Sequence, residues 1–123
     1  MLAAAELVAF VSATDAGRAK RFYGELLALP LIEESHFACV FRTPNAELRV
    51  TFVETLDPAG YTVLGWRITD VRGAVRELTR GGVEPLRYEG LEQDELGIWR
   101  SPSGAQVAWF TDPDGNVLSI TQV

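Results

Sequence analysis

The chain has 123 residues, of which 47% are hydrophobic and 23% charged, a composition typical of a single globular domain. Its 17 acidic residues outnumber its 11 basic ones, and the net charge of −6 makes nucleic acid and anionic membranes unfavourable partners. No apolar run approaches the ~18 residues of a membrane helix, and Glu6 and the lack of a cationic start argue against a signal peptide. The single cysteine, Cys39, excludes an internal disulfide, and a cytoplasmic location is the default expectation.

The first half of the chain predicts a strand, a helix and three further strands. Glu6–Ser12 reads as the first strand, and Thr14 or Asp15 can cap the helix that follows. Apolar residues at i, i+3, i+4 and i+7 form one face of that helix, and Pro30 stops it. These apolar residues are Ala19, Phe22, Tyr23 and Leu26. The three following strands are predicted at Leu31–Glu34, Phe37–Arg42 and Glu47–Glu54.

The second half repeats this order. A strand at Tyr61–Ile68 leads to a helix that Asp70 caps and that Gly81-Gly82 ends. Asp15 and Asp70 are separated by the same number of positions as Val8 and Val63. Further strands are predicted at Val83–Tyr88, Gly97–Ser101, Gln106–Thr111 and Val117–Thr121, with Pro-containing turns before the last two. The repeat predicts one α+β domain, residues 1–123, built from two tandem βαβββ modules (about 1–56 and 57–123) that form a concave mixed or antiparallel sheet.

Three motifs in chain order carry a family resemblance. The first helix contains D-x-x-x-A-x-x-F-Y from Asp15 to Tyr23, Thr69-Asp70-Val71 opens the second helix, and the turn Asp112-Pro113-Asp114-Gly115-Asn116 precedes the last strand. With the internal repeat, these residues make the chain similar to the vicinal oxygen chelate superfamily. That superfamily includes glyoxalase I, extradiol dioxygenases, fosfomycin-modifying enzymes and bleomycin-binding resistance proteins. The resemblance covers nearly the whole chain and implies the glyoxalase/bleomycin resistance fold.

The resemblance also implies where a divalent metal would be held, on four strands of the concave face. The corresponding positions in this chain are occupied by Val8, Arg49, Val63 and Ser119. Valine has no lone pair, arginine stays cationic, and one hydroxyl falls short of the three or four N or O ligands of a catalytic metal. We therefore expect no metal and no other cofactor, and we expect neither glyoxalase I nor dioxygenase chemistry.

Without a metal, the concave face is expected to bind a small molecule directly. Arg49 and Arg67 can hold a carboxylate or phosphate, unless each pairs with a structural acid such as Glu47 or Glu54. Aromatic side chains can stack on a flat ligand, unless the tryptophans belong to the core, and Ser119 is either a pocket residue or a tolerated polar residue. The predicted ligand-binding residues are Val8, Phe10, Arg49, Thr51, Tyr61, Val63, Arg67, Trp99, Trp109 and Ser119.

Three functions remain open from the sequence. The first is a metal-free protein that binds a small organic, aromatic or anionic molecule, for resistance or sequestration, as the bleomycin-binding proteins do. The second is a metal-independent lyase-like or isomerase-like enzyme that acts on a small carbonyl or aromatic compound. The third is a regulatory or partner-binding module without catalysis. The resemblance further implies a homodimer with two equivalent sites.

Overall fold

Each half of the chain folds into a four-stranded mixed sheet with one helical segment. The structure is a computed structural model that describes residues 1–123, and it divides into two compact units, Met1–Asp57 and Pro58–Val123. Both sheets contain one parallel and two antiparallel strand pairs. The predicted α+β class with two βαβββ modules is confirmed. No helix has the length and apolar character needed to cross a membrane.

The first unit contains strands β1–β4 in the order β1-β4-β3-β2, and β1 runs parallel to β4. The helix begins after Asp15, whose carboxylate accepts a hydrogen bond of 2.9 Å from the Arg18 backbone N–H. It widens from an α-helical turn, α1, into a π-helical segment that ends before Ala28, which has a φ of 59°. The elements are β1 (Leu7–Ala13), α1 (Ala16–Ala19) with the π-helical segment Lys20–Leu26, β2 (Leu31–Glu34), β3 (Ala38–Arg42) and β4 (Ala46–Phe52).

The core of the first unit lies between the helical segment and one face of its sheet. Tyr23 and Phe41 are fully buried, with ring centroids 6.0 Å apart. Leu48 and Val50 point to the same side, because alternate residues of a strand share a face. Cys39 is buried here as a small apolar side chain, and burial raises the pKa of its thiol, which keeps the thiol protonated and unreactive.

The second unit contains strands β5–β8 in the order β5-β8-β7-β6, and β5 runs parallel to β8. Asp70 caps its helix by accepting a hydrogen bond of 3.0 Å from the Gly73 N–H, and Gly82, with a φ of 90°, follows the helix end. The helix buries Val75 and Leu78. The elements are β5 (Thr62–Arg67), α2 (Val71–Arg80), β6 (Trp99–Arg100), β7 (Gln106–Thr111) and β8 (Val117–Gln122).

The strand predicted at Val83–Tyr88 is wrong. Pro85 has no N–H to donate to a ladder, and the segment makes one backbone hydrogen bond to β7, from the Leu86 N–H to the Trp109 carbonyl at 2.8 Å. The side chain of Gln93 instead forms hydrogen bonds with the backbone N–H of Tyr88 and the backbone carbonyl of Leu86. The strand predicted at Gly97–Ser101 is reduced to the two residues of β6. The Gly97 carbonyl accepts a hydrogen bond from the Gln93 side chain, so Gly97 belongs to the loop and not to the strand.

Candidate functional site

The first unit presents four predicted site residues on the sheet face opposite its core. We call Val8, Phe10, Arg49 and Thr51 the first open face. Phe10 and Arg49 are register partners on the parallel strands β1 and β4. On edge strand β1, Phe10 is 62% exposed and Val8 is 39% exposed. The structure therefore brings these four residues onto one surface, as alternation predicts.

The charges of the first open face are largely balanced. A guanidinium nitrogen of Arg49 lies 4.0 Å from a carboxylate oxygen of Glu33. Glu47 lies on the same face and is 3.5 Å from Arg42, which also pairs with Glu6. Arg49 thus has an acidic partner, but it is Glu33 rather than Glu47 or Glu54. This face offers an anion less uncompensated positive charge than the sequence alone indicates.

The second unit places Ser119 between a glycine and a tryptophan. Gly65, Ser119 and Trp109 are register partners across β5, β8 and β7. A methyl group on Gly65 would lie 2.8 Å from the Ser119 hydroxyl oxygen, so a larger residue at position 65 would force that hydroxyl to move. The neighbouring strand residues Phe110 and Leu118 are buried on the opposite side of the sheet. Ser119 is consequently half-buried on the face away from α2.

Three aromatic side chains gather on this same face. The ring centroids of Trp109 and Trp99 are 6.1 Å apart and tilted by 36°, and the Tyr88 ring meets Trp109 edge-on at 5.2 Å. We call Tyr88, Trp99 and Trp109 the aromatic cluster. All three are half-buried, so the tryptophans are neither core residues nor fully exposed. Tyr88 was missed by the sequence reasoning, because it lay at the end of a segment predicted to be a strand.

Arg67 completes the second open face, which we define as Gly65, Arg67, Ser119 and the aromatic cluster. Arg67 lies on β5 beside Thr121, one row of the sheet from Ser119. It is exposed and takes part in none of the ion pairs of the chain. Strands β5 and β7 are separated by two strand spacings, about 10 Å. A guanidinium and an indole are therefore presented at the two ends of a surface that one small aromatic molecule can span.

The two remaining predicted residues, Tyr61 and Val63, lie at the start of β5. Tyr61 precedes β5 and is 71% exposed. Val63 lies at a bulge in β5, where the register shifts between Thr62 and Leu64, and it is 41% exposed. The Tyr61 ring makes no contact with the rings of the aromatic cluster.

The residues at the four family metal positions do not fit a divalent cation. Val8 and Arg49 belong to the first unit, and Val63 and Ser119 belong to the second. Among these side chains only the Ser119 hydroxyl can donate a lone pair, and serine alone is a poor ligand for catalytic metals. Elsewhere in the chain, no three His, Cys, Asp or Glu side chains are grouped to hold a metal.

The acidic loop between Tyr88 and Trp99 is tied to α2 by charged side chains. Arg72 donates to Asp94 at 3.0 Å and to Glu95 at 2.9 Å. Partial burial opposes ionisation of Asp94, but hydrogen bonds from the Ile98 and Leu96 N–H groups and from Arg72 lower its pKa below the usual value. A groove of about 410 Å³ beside this loop is lined by Arg72, Glu92, Gln93, Asp94, Ile98, Arg100 and Gln106.

Comparison with known proteins agrees with this architecture. A crystal structure of a member of the glyoxalase/bleomycin resistance protein/dioxygenase superfamily from Sphaerobacter thermophilus aligns over 100% of both chains, with a TM-score of 0.77 and 20% identity. A glyoxalase family protein from Enterococcus faecalis aligns over 98% of this chain and 99% of its own, with a TM-score of 0.73 and 21% identity. A lactoylglutathione lyase from Agrobacterium tumefaciens aligns over 97% and 93%, with a TM-score of 0.75 and 15% identity.

These identities are low, so the structural likenesses establish the fold and leave the activity open. No curated protein sequence matches the chain significantly. The sequence model of the Glyoxalase/Bleomycin resistance protein/Dioxygenase superfamily, in contrast, matches residues 6–120, nearly the entire chain. The chain therefore belongs to the glyoxalase/bleomycin resistance protein/dioxygenase superfamily.

Proposed function

We propose that this protein binds a flat organic anion without a metal, on the second open face, and serves in sequestration or resistance. One observation carries the proposal: Arg67, which has no acidic partner, shares a sheet face with Ser119 and the aromatic cluster. The donor-poor side chains at the family metal positions agree with binding that needs no cation. Sequestration requires only apolar surface and a few polar anchors, and this face supplies both.

Each part of the face matches one part of such a ligand. An aromatic ring can stack on Trp109, whose half-buried indole is held by Trp99 and Tyr88. A carboxylate or sulfonate at the other end can accept two parallel hydrogen bonds from the Arg67 guanidinium. The Ser119 hydroxyl lies between these groups and can donate to a further oxygen of the ligand.

The acidic character of the whole protein does not prevent anion binding at this place. The net charge is −6, but charges farther than a Debye length, about 8 Å at physiological salt, are largely screened. In the acidic loop, Asp94 and Glu95 are paired with Arg72, whereas Glu89, next to Tyr88, is exposed and belongs to no ion pair. The attraction for an anion therefore comes from the unpaired charge of Arg67 itself.

The direct test is calorimetric titration with naphthalene-2-sulfonate and with its neutral analogue naphthalene-2-sulfonamide. Arg67→Ala should weaken sulfonate binding roughly 10- to 100-fold, since a charge-assisted hydrogen bond is worth about 1.5–3 kcal/mol. Binding of the sulfonamide should stay nearly constant. Arg76→Ala, which removes an exposed charge from α2, is the matched control and should leave both affinities unchanged.

Two results would contradict the proposal. The first is equal weakening of both compounds by Arg67→Ala, which would mean that Arg67 supports the fold rather than the ligand charge. The second is loss of sulfonate binding in EDTA, which would show that a metal takes part. Arg49→Ala should have a smaller effect than Arg67→Ala, because Arg49 belongs to the first open face and is already paired with Glu33.

We also propose that two copies of the chain associate. Leu7, Val8 and Phe10 on β1 are all substantially exposed, and β1 is an edge strand with one unpaired side. Apolar side chains beside an unpaired strand edge favour association with another chain. A second copy is the occupant that the family resemblance favours.

A further inference from the structure

We infer that Gln93 is a positioning residue for the aromatic cluster and thereby sets which flat anions the second open face accepts. Gln93 affects ligand binding indirectly, through Tyr88 and Trp99. The inference takes its ligand from the proposed function and rests on that function in this respect. The geometry around Gln93 comes from the structure.

The Gln93 side chain replaces a missing strand ladder. Its amide oxygen accepts a hydrogen bond of 2.7 Å from the Tyr88 backbone N–H. Its amide nitrogen donates to the carbonyls of Leu86 and Gly97, both at 2.8 Å. One half-buried side chain thus joins the segment before the acidic loop to the segment after it.

Both neighbours of Trp109 in the aromatic cluster are attached to Gln93. Tyr88 is bonded through its backbone N–H to the amide, and Trp99 forms an antiparallel bridge with the Gln93 backbone. Their rings contact Trp109 at 5.2 and 6.1 Å. Because Gln93 fixes the backbone positions of Tyr88 and Trp99 relative to each other, it also fixes the space around the Trp109 indole.

Close packing beneath the amide leaves little room for adjustment. A methyl group on Gly97 would lie 2.7 Å from the Cβ of Pro85, so the two segments that Gln93 joins already touch. The amide also has the required chemistry, since it offers one acceptor and two donors. Glutamate has nearly the same shape but, when ionised, offers no donor to the Leu86 and Gly97 carbonyls.

The experiment compares Gln93→Glu with Gln106→Glu in the 123-residue chain. Gln106 lines the same groove and lies on the same strand as Trp109, but its side chain bridges no backbone groups of the loop. Gln106→Glu therefore adds the same charge to the groove without breaking the hydrogen bonds of the loop. At pH 7, Gln93→Glu should weaken naphthalene-2-sulfonate binding about tenfold, because the ionised carboxylate has no donor for the Leu86 and Gly97 carbonyls and no longer holds the aromatic cluster in place. It should also reduce the near-ultraviolet circular dichroism of the tryptophan pair. Gln106→Glu should change neither.

Lowering the pH supplies a rescue that a purely structural defect would not show. A protonated glutamic acid can donate one hydrogen bond, so Gln93→Glu should regain affinity and dichroism as the pH falls through about 4.3, the usual value for glutamate. The sulfonate ligand stays ionised over this range. The charged groups that face position 93 in the groove are Arg72, Glu92, Asp94 and Arg100, and hydrogen bonds from backbone N–H groups and Arg72 hold the pKa of Asp94 below its usual value.

A second variant covers the case in which Gln93→Glu fails to fold. Tyr88→Leu removes the ring that Gln93 positions and should reproduce both the weaker binding and the reduced dichroism. The inference is overturned if folded Gln93→Glu or folded Tyr88→Leu has the sulfonate affinity and the near-ultraviolet circular dichroism of the unmodified protein. It is also overturned if Gln106→Glu changes these two quantities as much as Gln93→Glu does. Sulfonate binding that depends on Arg67 but not on Gln93 would contradict this inference and leave the proposed function standing. Absence of any sulfonate binding would contradict the proposed function, and the circular dichroism would then still test whether Gln93 positions the aromatic cluster.

Discussion

Replacing Asp94 tests how firmly the acidic loop is held. One oxygen of this carboxylate accepts hydrogen bonds of 2.9 Å from the backbone N–H groups of Leu96 and Ile98. The other oxygen accepts from Arg72 at 3.0 Å. Asp94→Asn keeps an oxygen for the two N–H groups and loses the ionic contact with Arg72. Asp94→Ala loses all three bonds.

The two substitutions should therefore differ in their effect on stability. One hydrogen bond to a charged acceptor contributes about 1.5–3 kcal/mol. Because the Asp94 side chain is 33% exposed and water can replace part of its bonds, we expect the three bonds lost in Asp94→Ala to contribute about 1.5–3 kcal/mol together. In a domain of this size, that loss corresponds to a fall in Tm of roughly 6–12 °C. Asp94→Asn should cost less than half as much, because exposed ion pairs such as that with Arg72 contribute little.

Urea unfolding of the four proteins Asp94→Ala, Asp94→Asn, Glu89→Ala and Glu89→Gln measures these differences. Glu89 is an exposed acid of the same loop and controls for the lost charge. The transition midpoint should shift while the slope stays constant. Equal losses for Asp94→Ala and Asp94→Asn would refute the reasoning, since the ion pair rather than the backbone bonds would then hold the loop.

The pH dependence follows from the lowered pKa of Asp94. A carboxylate whose pKa is lower in the folded than in the unfolded protein stabilises the fold above its unfolded pKa, near 3.9. That stabilisation is lost as the pH falls through the lower, folded pKa. The difference in stability between the unmodified protein and Asp94→Asn should thus be constant above about pH 5 and should shrink in more acidic solution. A difference that grows on acidification would contradict the direction of the pKa shift.

Three further predictions have defined outcomes. Gly97→Ala should destabilise the protein more than Gly90→Ala in thermal unfolding, because both residues have positive φ, at a cost of about 1–2 kcal/mol, but only position 97 also meets Pro85. Asp112→Ala should lower stability by about 1.5–3 kcal/mol in urea, since this buried carboxylate accepts from the Asp114 and Asn116 N–H groups. The Cys39 thiol should react with a thiol reagent only at the rate of unfolding, and rapid labelling of the folded protein would contradict its burial.

Local signals in the sequence predicted the helices and turns well. Asp15 and Asp70 cap their helices as expected, because a cap depends on residues three positions apart. The turn at Asp112 likewise forms, with the Gly115 N–H donating to the Asp112 carbonyl at 3.0 Å. Strand alternation also placed Arg49 and Arg67 on the faces opposite the buried residues.

Contacts between distant residues were beyond the same reasoning. The acidic partner of Arg49 is Glu33, and the two meet only because both strands flank Val40 in the sheet register. The missing strand at Val83–Tyr88 depends on a side-chain amide several residues away, which no strand propensity describes. Tyr88 joins the aromatic cluster through this non-repetitive loop, so neither period two nor period 3.6 could indicate it.

The proposed association of two chains is tested by replacing Phe10. Its ring is 62% exposed on edge strand β1, and burying a phenylalanine side chain contributes about 1.5–3 kcal/mol. A two-fold symmetric interface counts each substitution twice, so Phe10→Lys should raise the dimer dissociation constant at least a hundredfold, or about 2.7 kcal/mol. Leu2→Lys, at a residue that is 71% exposed and outside the strands, is the matched control for charge. Light scattering at about 10 μM, a concentration at which a dimer with micromolar affinity persists and one with a hundredfold weaker affinity dissociates, should show mainly dimer for the unmodified protein and Leu2→Lys and mainly monomer for Phe10→Lys. A monomeric unmodified protein would rule out the association, and a dimeric Phe10→Lys would place the interface away from β1.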